Sequence, residues 1–361
     1  EPQNDIEVGN VITLNLNGSQ ADMEIVGMLS DCPFNNRQDV GKLICSEDTF
    51  RKLTGETDYS IIDNTDNITV VEMNELGPSK IQTVDVSLVS FDINKTADIL
   101  FADRTIVERS NAANSYIIQA DDETQLTYFS TPTLAKLYYG TEYANCIFSI
   151  IQLESNAISD IFELPLTNSN FDFASSKQAE TEVLQLLQKL GIDNIGHTKI
   201  YSLDQKNLAS ISKNRSTDGK VLKNESEFLD CYLLQMKCII QGIPLCEIDS
   251  VLPNGETLFG SKIYALFTKN GIEGLEITNL YIPNKVESLY NAISAQDAAN
   301  VAYKRLSSII TKNLYAITNA DLRYAPEFKD KSHASLRLVP VWLICIEEKN
   351  INYAINNKFY I

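Results

Sequence analysis

The side chains that most often perform catalysis or bind metals are scarce and scattered in this sequence. It has two histidines, His197 and His333, and both lie in polar stretches that predict loops. Two histidines leave few options for a metal site or for acid–base catalysis near neutral pH. The patterns H-E-x-x-H, C-x-x-C and G-x-S-x-G do not occur. The sequence therefore predicts no catalytic residue, no metal ligand and no cofactor.

The cysteines form an odd and sparse set, which is not typical of a disulfide scaffold. Cys231, Cys238 and Cys246 are separated by six and seven residues inside a hydrophobic stretch. This spacing favours buried thiols over a metal site. The cysteine content leaves the compartment open between the cytosol and the outside of an anaerobe. The seven cysteines are Cys32, Cys45, Cys146, Cys231, Cys238, Cys246 and Cys345.

Two segments come close to known catalytic motifs without matching them. Gly255 to Lys262 has the glycine spacing of a P-loop, but Ser261-Lys262 reverses the required Lys-Ser/Thr pair. Ser210 to Lys213 fits S-x-x-K, but its S-D-N and K-T-G partners are missing and its surroundings predict a polar loop. We expect neither ATP binding nor acyl-enzyme chemistry.

An acidic triplet, Asp121-Asp122-Glu123, offers carboxylates that could hold Ca²⁺ weakly. The spacing and the glycine of an EF-hand loop are absent. The triplet is interpreted as a solvated turn between two strands.

Three tyrosines are candidates for contact with a partner, because tyrosine is enriched at interfaces. They are Tyr138, Tyr139 and Tyr143. Thr131-Pro132 predicts a helix start and Gly140 its end, so the alternative is that these rings pack the core of a short helix.

Composition limits the classes of partner. A chain of 361 residues with 44% apolar content predicts two or three globular domains. The net charge of −18 provides no basic footprint for nucleic acid and opposes binding to an anionic membrane. No run of eighteen apolar residues occurs, and Glu1-Pro2-Gln3 is typical of a trimmed start. We expect a mature secreted chain or an excised soluble region, of unpredicted oligomeric state.

The pattern of apolar residues predicts an α+β fold with antiparallel sheets and helices packed on one face. Residues 7 to 30 predict a hairpin around Asn17-Gly18-Ser19, and residues 83 to 91 alternate as a strand. Further strands are predicted at 106–109, 115–120 and 146–153. We predict four domains, at residues 1–70, 71–170, 171–260 and 261–361.

A helix–strand–strand unit is predicted twice in the C-terminal half. Ser175 caps a helix that ends at Gly191, followed by strands near 201–203 and 230–241. About 119 residues later, Ser294 caps a second helix, followed by strands at 316–324 and 336–344. Pro340 lacks an N–H, so its strand should be an edge strand or carry a bulge there. The alternative is chance similarity of two ordinary units. If a binding surface exists, we expect it between the two copies.

Four short segments of residues 7–63 form a recognisable pattern, namely Val8–Asn10, Glu24–Asp31, Leu43–Phe50 and Leu53–Gly55. Through these segments residues 7–63 resemble the extracytoplasmic core domain of MacB/FtsX-type ABC transporter permeases. The resemblance implies a non-enzymatic, extracytoplasmic region of such a permease or of an accessory to it, tethered to the membrane in the full-length protein. Its expected partner is a peptide, an envelope protein or a permease subunit.

Three segments of the C-terminal half, 293–299, 322–326 and 338–342, carry a second likeness. Through them residues 170–346 weakly resemble PepSY-like and two-component-accessory lipoproteins of Gram-positive bacteria. It implies an alternative function, a cell-surface lipoprotein that regulates a histidine kinase. A third alternative is a hydrolase whose carboxylates come together only in the fold.

Overall fold

The structure is a computed structural model that describes residues 11–16, 19–24, 68–70, 80–151, 170–215, 225–252, 256–307, 314–330, 335–349 and 356–360. In chain order its strands are β1 (Val11–Leu16), β2 (Ser19–Glu24), β3 (Ile68–Val70), β4 (Lys80–Leu88), β5 (Ile106–Ala112), β6 (Ser115–Ala120), β7 (Gln125–Ser130), β8 (Ala135–Gly140), β9 (Ile195–Leu203), β10 (Cys231–Ile240), β11 (Ile243–Pro244), β12 (Ser250–Val251), β13 (Thr257–Leu258), β14 (Lys262–Thr268), β15 (Gly271–Thr278), β16 (Tyr281–Asn291), β17 (Leu314–Phe328), β18 (Leu336–Lys349) and β19 (Asn356–Tyr360). The helices within these ranges are α1 (Ile93–Leu100), α2 (Glu142–Ile151), α3 (Ser176–Lys189), α4 (Gln205–Arg215) and α5 (Ala295–Ser307).

Most of the strands belong to two sheets. A nine-stranded sheet has the order β11-β10-β14-β15-β8-β7-β6-β5, and its ninth strand, β9, also pairs with β10. A six-stranded sheet has the order β16-β4-β18-β17-β3, with β19 paired to β18. All pairs in both sheets are antiparallel except β17 with β3. The predicted α+β class with antiparallel sheets is confirmed.

The larger sheet is covered on both faces. Side chains alternate along β10, so Tyr232 and Leu234 join a cluster with α1 and α3. Cys231 and Leu233 join the opposite cluster with α2 and α4. Each fully buried leucine of this kind contributes about 1.5–3 kcal/mol of hydrophobic stabilisation. Our expectation of helices on one face is therefore too simple for this sheet, because apolar residues line both sides of its central strands.

The smaller sheet carries α5, which contacts β3, β17 and β18. Ala295, Ala299 and Leu306 of the helix are buried against Ile317 and Ile344 of the sheet. Alanines at the contact let the helix lie close to the strands.

The helix–strand–strand order occurs twice, as α3-β9-β10 and α5-β17-β18. Ser175 accepts from Gln178 N at 3.2 Å and Gln178 Oε1 accepts from Ser175 N at 2.8 Å, which confirms the capping box. Ser294 Oγ accepts from Asp297 N at 3.0 Å, so the second predicted cap also forms. In each unit the two strands pair antiparallel. The units differ between the strands: the first carries α4 there, whereas seven residues separate β17 from β18 in the second.

The two sheets meet where the chain leaves β11. Leu245 forms a parallel bridge with Tyr324 of β17, and Cys246 N donates to Tyr324 O at 2.8 Å. Strand pairing also crosses the predicted domain boundaries, because β8 pairs with β15 and β10 pairs with β14. Strands from three of the predicted domains thus share one sheet.

One predicted helix and one predicted strand are wrong. Residues 131–140 form a turn and β8, because Thr131 Oγ1 accepts from Leu134 N at 3.1 Å within the turn instead of capping a helix. Residues 146–151 belong to α2, whose buried residues Ala144, Ile147, Phe148 and Ile151 repeat with helical spacing. A short apolar run fits either element, and burial against β15 and α4 decides this one.

The N-terminal region is described only in part. β1 and β2 pair around Asn17-Gly18 and confirm the predicted hairpin. Residues 43–50 and 53–55, which carry part of the permease resemblance, lie outside the described residues. Among the helices that the structure describes, none has the length and apolar character needed to cross a membrane.

Candidate functional site

A fork opens in the smaller sheet where β4 leaves β18. The two strands pair only from Leu336 to Leu338 of β18. β16 pairs with the other edge of β4 from Leu88 to Lys80, so the first residues of β4, such as Ile81 opposite Tyr290, have a strand partner on that edge alone within the described residues. β19 joins the same edge of β18 only at Cys345, while β17 occupies the opposite edge. Within the described residues, positions 339 to 344 of β18 therefore pair with a strand on one side only.

An apolar cleft of about 460 Å³ lies at this fork. Trp342 lines it, and its indole Nε1 donates to Ile293 O at 3.1 Å. Tyr290 and Ile293 on the rim are 48% and 51% exposed, which is high for large apolar side chains beside a cleft. The lining residues are Ile81, Thr83, Tyr290, Asn291, Ala292, Ile293, Leu322, Arg337, Val339, Pro340 and Trp342.

Pro340 fits this open edge. It lies opposite Tyr324 in the pairing with β17 and falls between the segments that pair with β4 and β19. Because proline has no N–H to offer, it is tolerated where one edge of a strand lacks a partner. The predicted edge strand is therefore wrong, because β18 lies inside the sheet and its pairing with β17 has no bulge at Pro340, but the other edge of β18 has no strand partner at Pro340 within the described residues.

A second, more polar cleft of about 540 Å³ adjoins the first. Both clefts include Ile81 and Leu322 in their walls. The second cleft lies between the β10–β11 turn of the first unit and β17 of the second, where we expected any binding surface. Its lining residues are Lys80, Ile81, Gln82, Gln241, Gly242, Ile243, Pro244, Leu289, Asp321, Leu322, Arg323 and Tyr324. Together the two clefts form what we call the forked groove.

Arg323 is the most buried of the charged residues that line the polar cleft. Its side chain is 12% exposed, and its Nη2 donates to Asp321 Oδ2 at 2.9 Å. The buried Nε has no hydrogen-bond partner within the described residues. The buried Oε2 of Glu247 is likewise without one there, although Oε1 pairs with Lys237 at 2.8 Å. Buried polar groups are normally hydrogen-bonded, so the Nε of Arg323 is a donor that a ligand or an ordered water would satisfy.

Lysines add positive charge next to Arg323. Burial lowers the pKa of the Lys199 ammonium, and repulsion from Lys237 and Arg323 lowers it further, whereas Glu247 and Asp321 act in the opposite direction. Lys199 therefore lies close enough to interact with each of these four side chains. Charges so close in a partly buried site interact more strongly than they would in bulk water.

Gln241 holds an unusual conformation at the mouth of the polar cleft. Gln241 and Gly242 have φ of +52° and +81°, as a two-residue type I′ hairpin turn requires. Glutamine is disfavoured there, where asparagine or glycine is usual. Its Oε1 lies 3.4 Å from the Tyr324 hydroxyl, which donates to Gln82 O at 2.7 Å. Residues held in a disfavoured backbone conformation often cluster at functional sites, and Gln241 lines the polar cleft.

The three predicted contact tyrosines lie away from the groove and are held by internal contacts. Tyr139 is buried against Phe101 on one face of the larger sheet. Tyr138 points to the other face, where it packs on Phe148. The Tyr143 hydroxyl donates to Leu229 O at 3.0 Å and accepts from Leu229 N at 2.9 Å. Since the first two rings face opposite ways, the three do not form one surface, and their contact with a partner stays a prediction.

The remaining sequence candidates occupy structural positions. Asp122 lies in the predicted turn and accepts from Arg104 at 2.8 Å. Lys262 of the P-loop-like segment lies in β14 and pairs with Asp249 at 2.9 Å. His197 lies in β9 opposite Lys237, so its predicted loop is wrong, while His333 lies outside the described residues.

The serine–lysine motif and the cysteines can also be placed. Ser210 to Lys213 lie in α4, so the loop predicted there is wrong. Cys231 and Cys238 are buried free thiols, as expected. Burial raises the pKa of the Cys238 thiol to about 12, which keeps it protonated and unreactive at neutral pH. The described residues contain no cluster of three or more His, Cys, Asp or Glu side chains that could hold a metal.

Sequence reasoning missed Arg323 and Gln241. Both lie in ordinary strand and turn sequences, and only the fold brings them together across 82 positions of the chain. One signal was present, because Gln241-Gly242 joins two strand-like runs and calls for positive φ at a glutamine.

Comparisons with known proteins support the fold and no more. No family model matches the chain, and no curated protein matches it. A crystal structure of an uncharacterised protein from Eubacterium rectale is similar, with a TM-score of 0.63 and 15% identity. The match covers 82% of this chain and 87% of that chain.

Proposed function

We propose that this protein is a non-enzymatic binding module whose forked groove receives an extended segment of a peptide or protein partner. The observation that carries the proposal is the divergence of β4 from β18, which within the described residues leaves one edge of β18 without a strand partner beside two adjoining clefts. Each cleft has the volume of a ligand pocket, about 300–1,000 Å³.

The open edge suits a ligand in strand conformation. Positions 339 to 344 span about 20 Å at roughly 3.3 Å per residue. A peptide beside such an edge gains main-chain hydrogen bonds, while side-chain clefts supply specificity. Trp342 and Ile293 provide an apolar anchor of the kind that dominates many interfaces. Pro340 removes one donor from the edge and so restricts the register of a bound strand.

The charged groups in and beside the polar cleft favour binding over hydrolysis. Asp321 pairs with Arg323 in the cleft, and Glu247 pairs with Lys237 beside it, each at less than 3 Å. Carboxylates engaged in this way are poorly placed as a general acid and general base, which need to reach the substrate. The ion pairs support a recognition role.

The resemblance of residues 7–63 to MacB/FtsX-type permeases supplies a setting for this module. In that setting the chain acts outside the cytoplasm, as part of such a permease or beside one, and the bound segment comes from an envelope protein or a permease subunit. Regulation of a histidine kinase by a surface lipoprotein would use the same groove with a different partner. Co-purification of the full-length protein from its host envelope, with a permease or a kinase as the captured partner, separates the two settings.

Trp342 allows a direct test of binding, because it is the only tryptophan of the chain. The probes are synthetic, tryptophan-free octapeptides of alternating apolar and polar residues. Each is made with a free C-terminal carboxylate and with a C-terminal amide. We expect a saturable blue shift of Trp342 emission, because a peptide in the apolar cleft would exclude water from the half-buried indole.

Two exposed apolar residues give a matched pair of variants. Ile293 is 51% exposed at the groove, and Val107 is 61% exposed on β5, at the far edge of the larger sheet. Ile293→Ser should weaken peptide binding at least about fivefold, as expected for loss of an apolar anchor. Val107→Ser should leave it unchanged. Absence of a saturable shift with every peptide, or equal loss in both variants, would contradict the proposal.

A further inference from the structure

We infer that the forked groove recognises the C-terminal end of a peptide, with its last apolar side chain in the Trp342 cleft and its α-carboxylate at Arg323. The inference rests on the proposed function and names the chemistry of the bound segment. Capture of a terminal carboxylate is a known mode of peptide recognition.

The donor set of the polar cleft suits a carboxylate. Arg323 offers a buried Nε that has no hydrogen-bond partner within the described residues. A guanidinium accommodates a carboxylate through two parallel hydrogen bonds, which makes this pair stronger than a neutral one. Asp321 already engages Nη2 at 2.9 Å, so the guanidinium is held in place but only partly satisfied.

Local charge favours an anion. Lys80 lines the same cleft, and Lys199 and Lys237 lie near Arg323, against the carboxylates of Asp321 and Glu247. The local balance is therefore positive, in a chain whose net charge is −18. The remaining negative surface would repel a strongly acidic segment, whereas a chain end brings a single carboxylate.

The closeness of the two clefts points to a terminal residue. Both clefts share Ile81 and Leu322 in their walls. In an extended peptide, neighbouring side chains point to opposite sides. An acidic side chain next to the apolar anchor would therefore face away, whereas the α-carboxylate of the last residue is attached to the same Cα as its side chain.

The test uses octapeptides ending in two leucines, with Trp342 emission as the readout. The free acid should bind at least about tenfold more tightly than the amide, since the acid alone can form a charge-assisted pair with Arg323. A third peptide has an amide end and an aspartate before the two leucines. It should bind like the amide.

Two variants should change the affinity for the free-acid peptide in opposite directions. Arg323→Gln should weaken binding of the acid to the level of the amide. Asp321→Asn should tighten binding of the acid a few-fold, because it removes the carboxylate that competes for the guanidinium. Neither variant should change binding of the amide, whereas a merely structural role would shift both peptides alike.

The outcomes separate this inference from the proposed function. Equal binding of acid and amide at the groove would overturn the C-terminal inference and leave the binding module in place. Tight binding of the aspartate peptide would identify a side-chain carboxylate as the ligand and would also overturn it. Failure of every peptide in the set to bind would contradict both.

Discussion

The two helix–strand–strand units of this protein have the same order of elements, but they differ in how deeply their last strand is buried and in how it is paired. In the first, residues Cys231 to Met236 of β10 are all buried, with strands on both edges and helices on both faces. In the second, residues 339 to 343 of β18 are only half-buried, and one edge has no strand partner among the described residues where β4 departs. The difference lies in what the rest of the chain places around each unit. The first is core, and the second offers a groove.

The largest expected contrast is in stability. Leu234→Ala removes a fully buried side chain of the first unit and should lower the free energy of unfolding by about 2–5 kcal/mol. Trp342→Phe in the second unit keeps an aromatic ring and loses one hydrogen bond, so it should cost about 1 kcal/mol. Urea unfolding followed by circular dichroism measures both. Equal losses would mean that the second unit is core like the first.

A smaller contrast is expected at alkaline pH. Burial raises the pKa of Tyr201 from 10.0 to about 12 and that of Cys238 from 9.0 to about 12, and both lie in the first unit. Because the folded-state values are raised, the stabilising contribution of each group is complete below its unfolded value. It is lost as the pH rises from about 9 towards 12.

Tyr201→Phe isolates the phenol in this pH dependence. Between pH 10 and pH 12 the free energy of unfolding of the variant should fall less steeply than that of the wild type. The measurement is urea unfolding at a series of pH values, with tyrosinate absorbance to follow ionisation. Identical slopes in the two proteins would show that Tyr201 is not held protonated by the fold.

The smallest contrast concerns the helix caps, where we expect the units to behave alike. Ser175→Ala and Ser294→Ala each remove a hydrogen bond to the third residue of a helix, at 3.2 and 3.0 Å. Each should cost about 1 kcal/mol. If only one of the two substitutions lowered the stability, the two helices would be alike in sequence but not in how their N-termini are stabilised. Thermal unfolding of the two variants beside the wild type gives the comparison.

Local signals made part of this fold predictable. The caps at Ser175 and Ser294, the Asn17-Gly18 hairpin and the alternation of Val84 and Val86 each depend on neighbours within a few residues. Such features need no knowledge of the rest of the chain.

The elements decided by distant packing were not predictable in the same way. Residues 146–151 suit a strand or a helix, and contact with β15 and α4 selects the helix. The groove depended even more on distant residues, because Ile81, Gln241, Arg323 and Trp342 come from separate segments. Nothing in the surroundings of Arg323 along the chain indicates a buried guanidinium with an unsatisfied Nε.

Hydrogen exchange of the backbone amides, with and without the octapeptides, tests most directly whether the second unit is the binding platform. The account predicts slower exchange at residues 80–83, 241–244 and 339–344, which border the groove, and no change at residues 231–236 of the first unit. Protection on the α2 and α4 face of the larger sheet, with the groove unchanged, would contradict it.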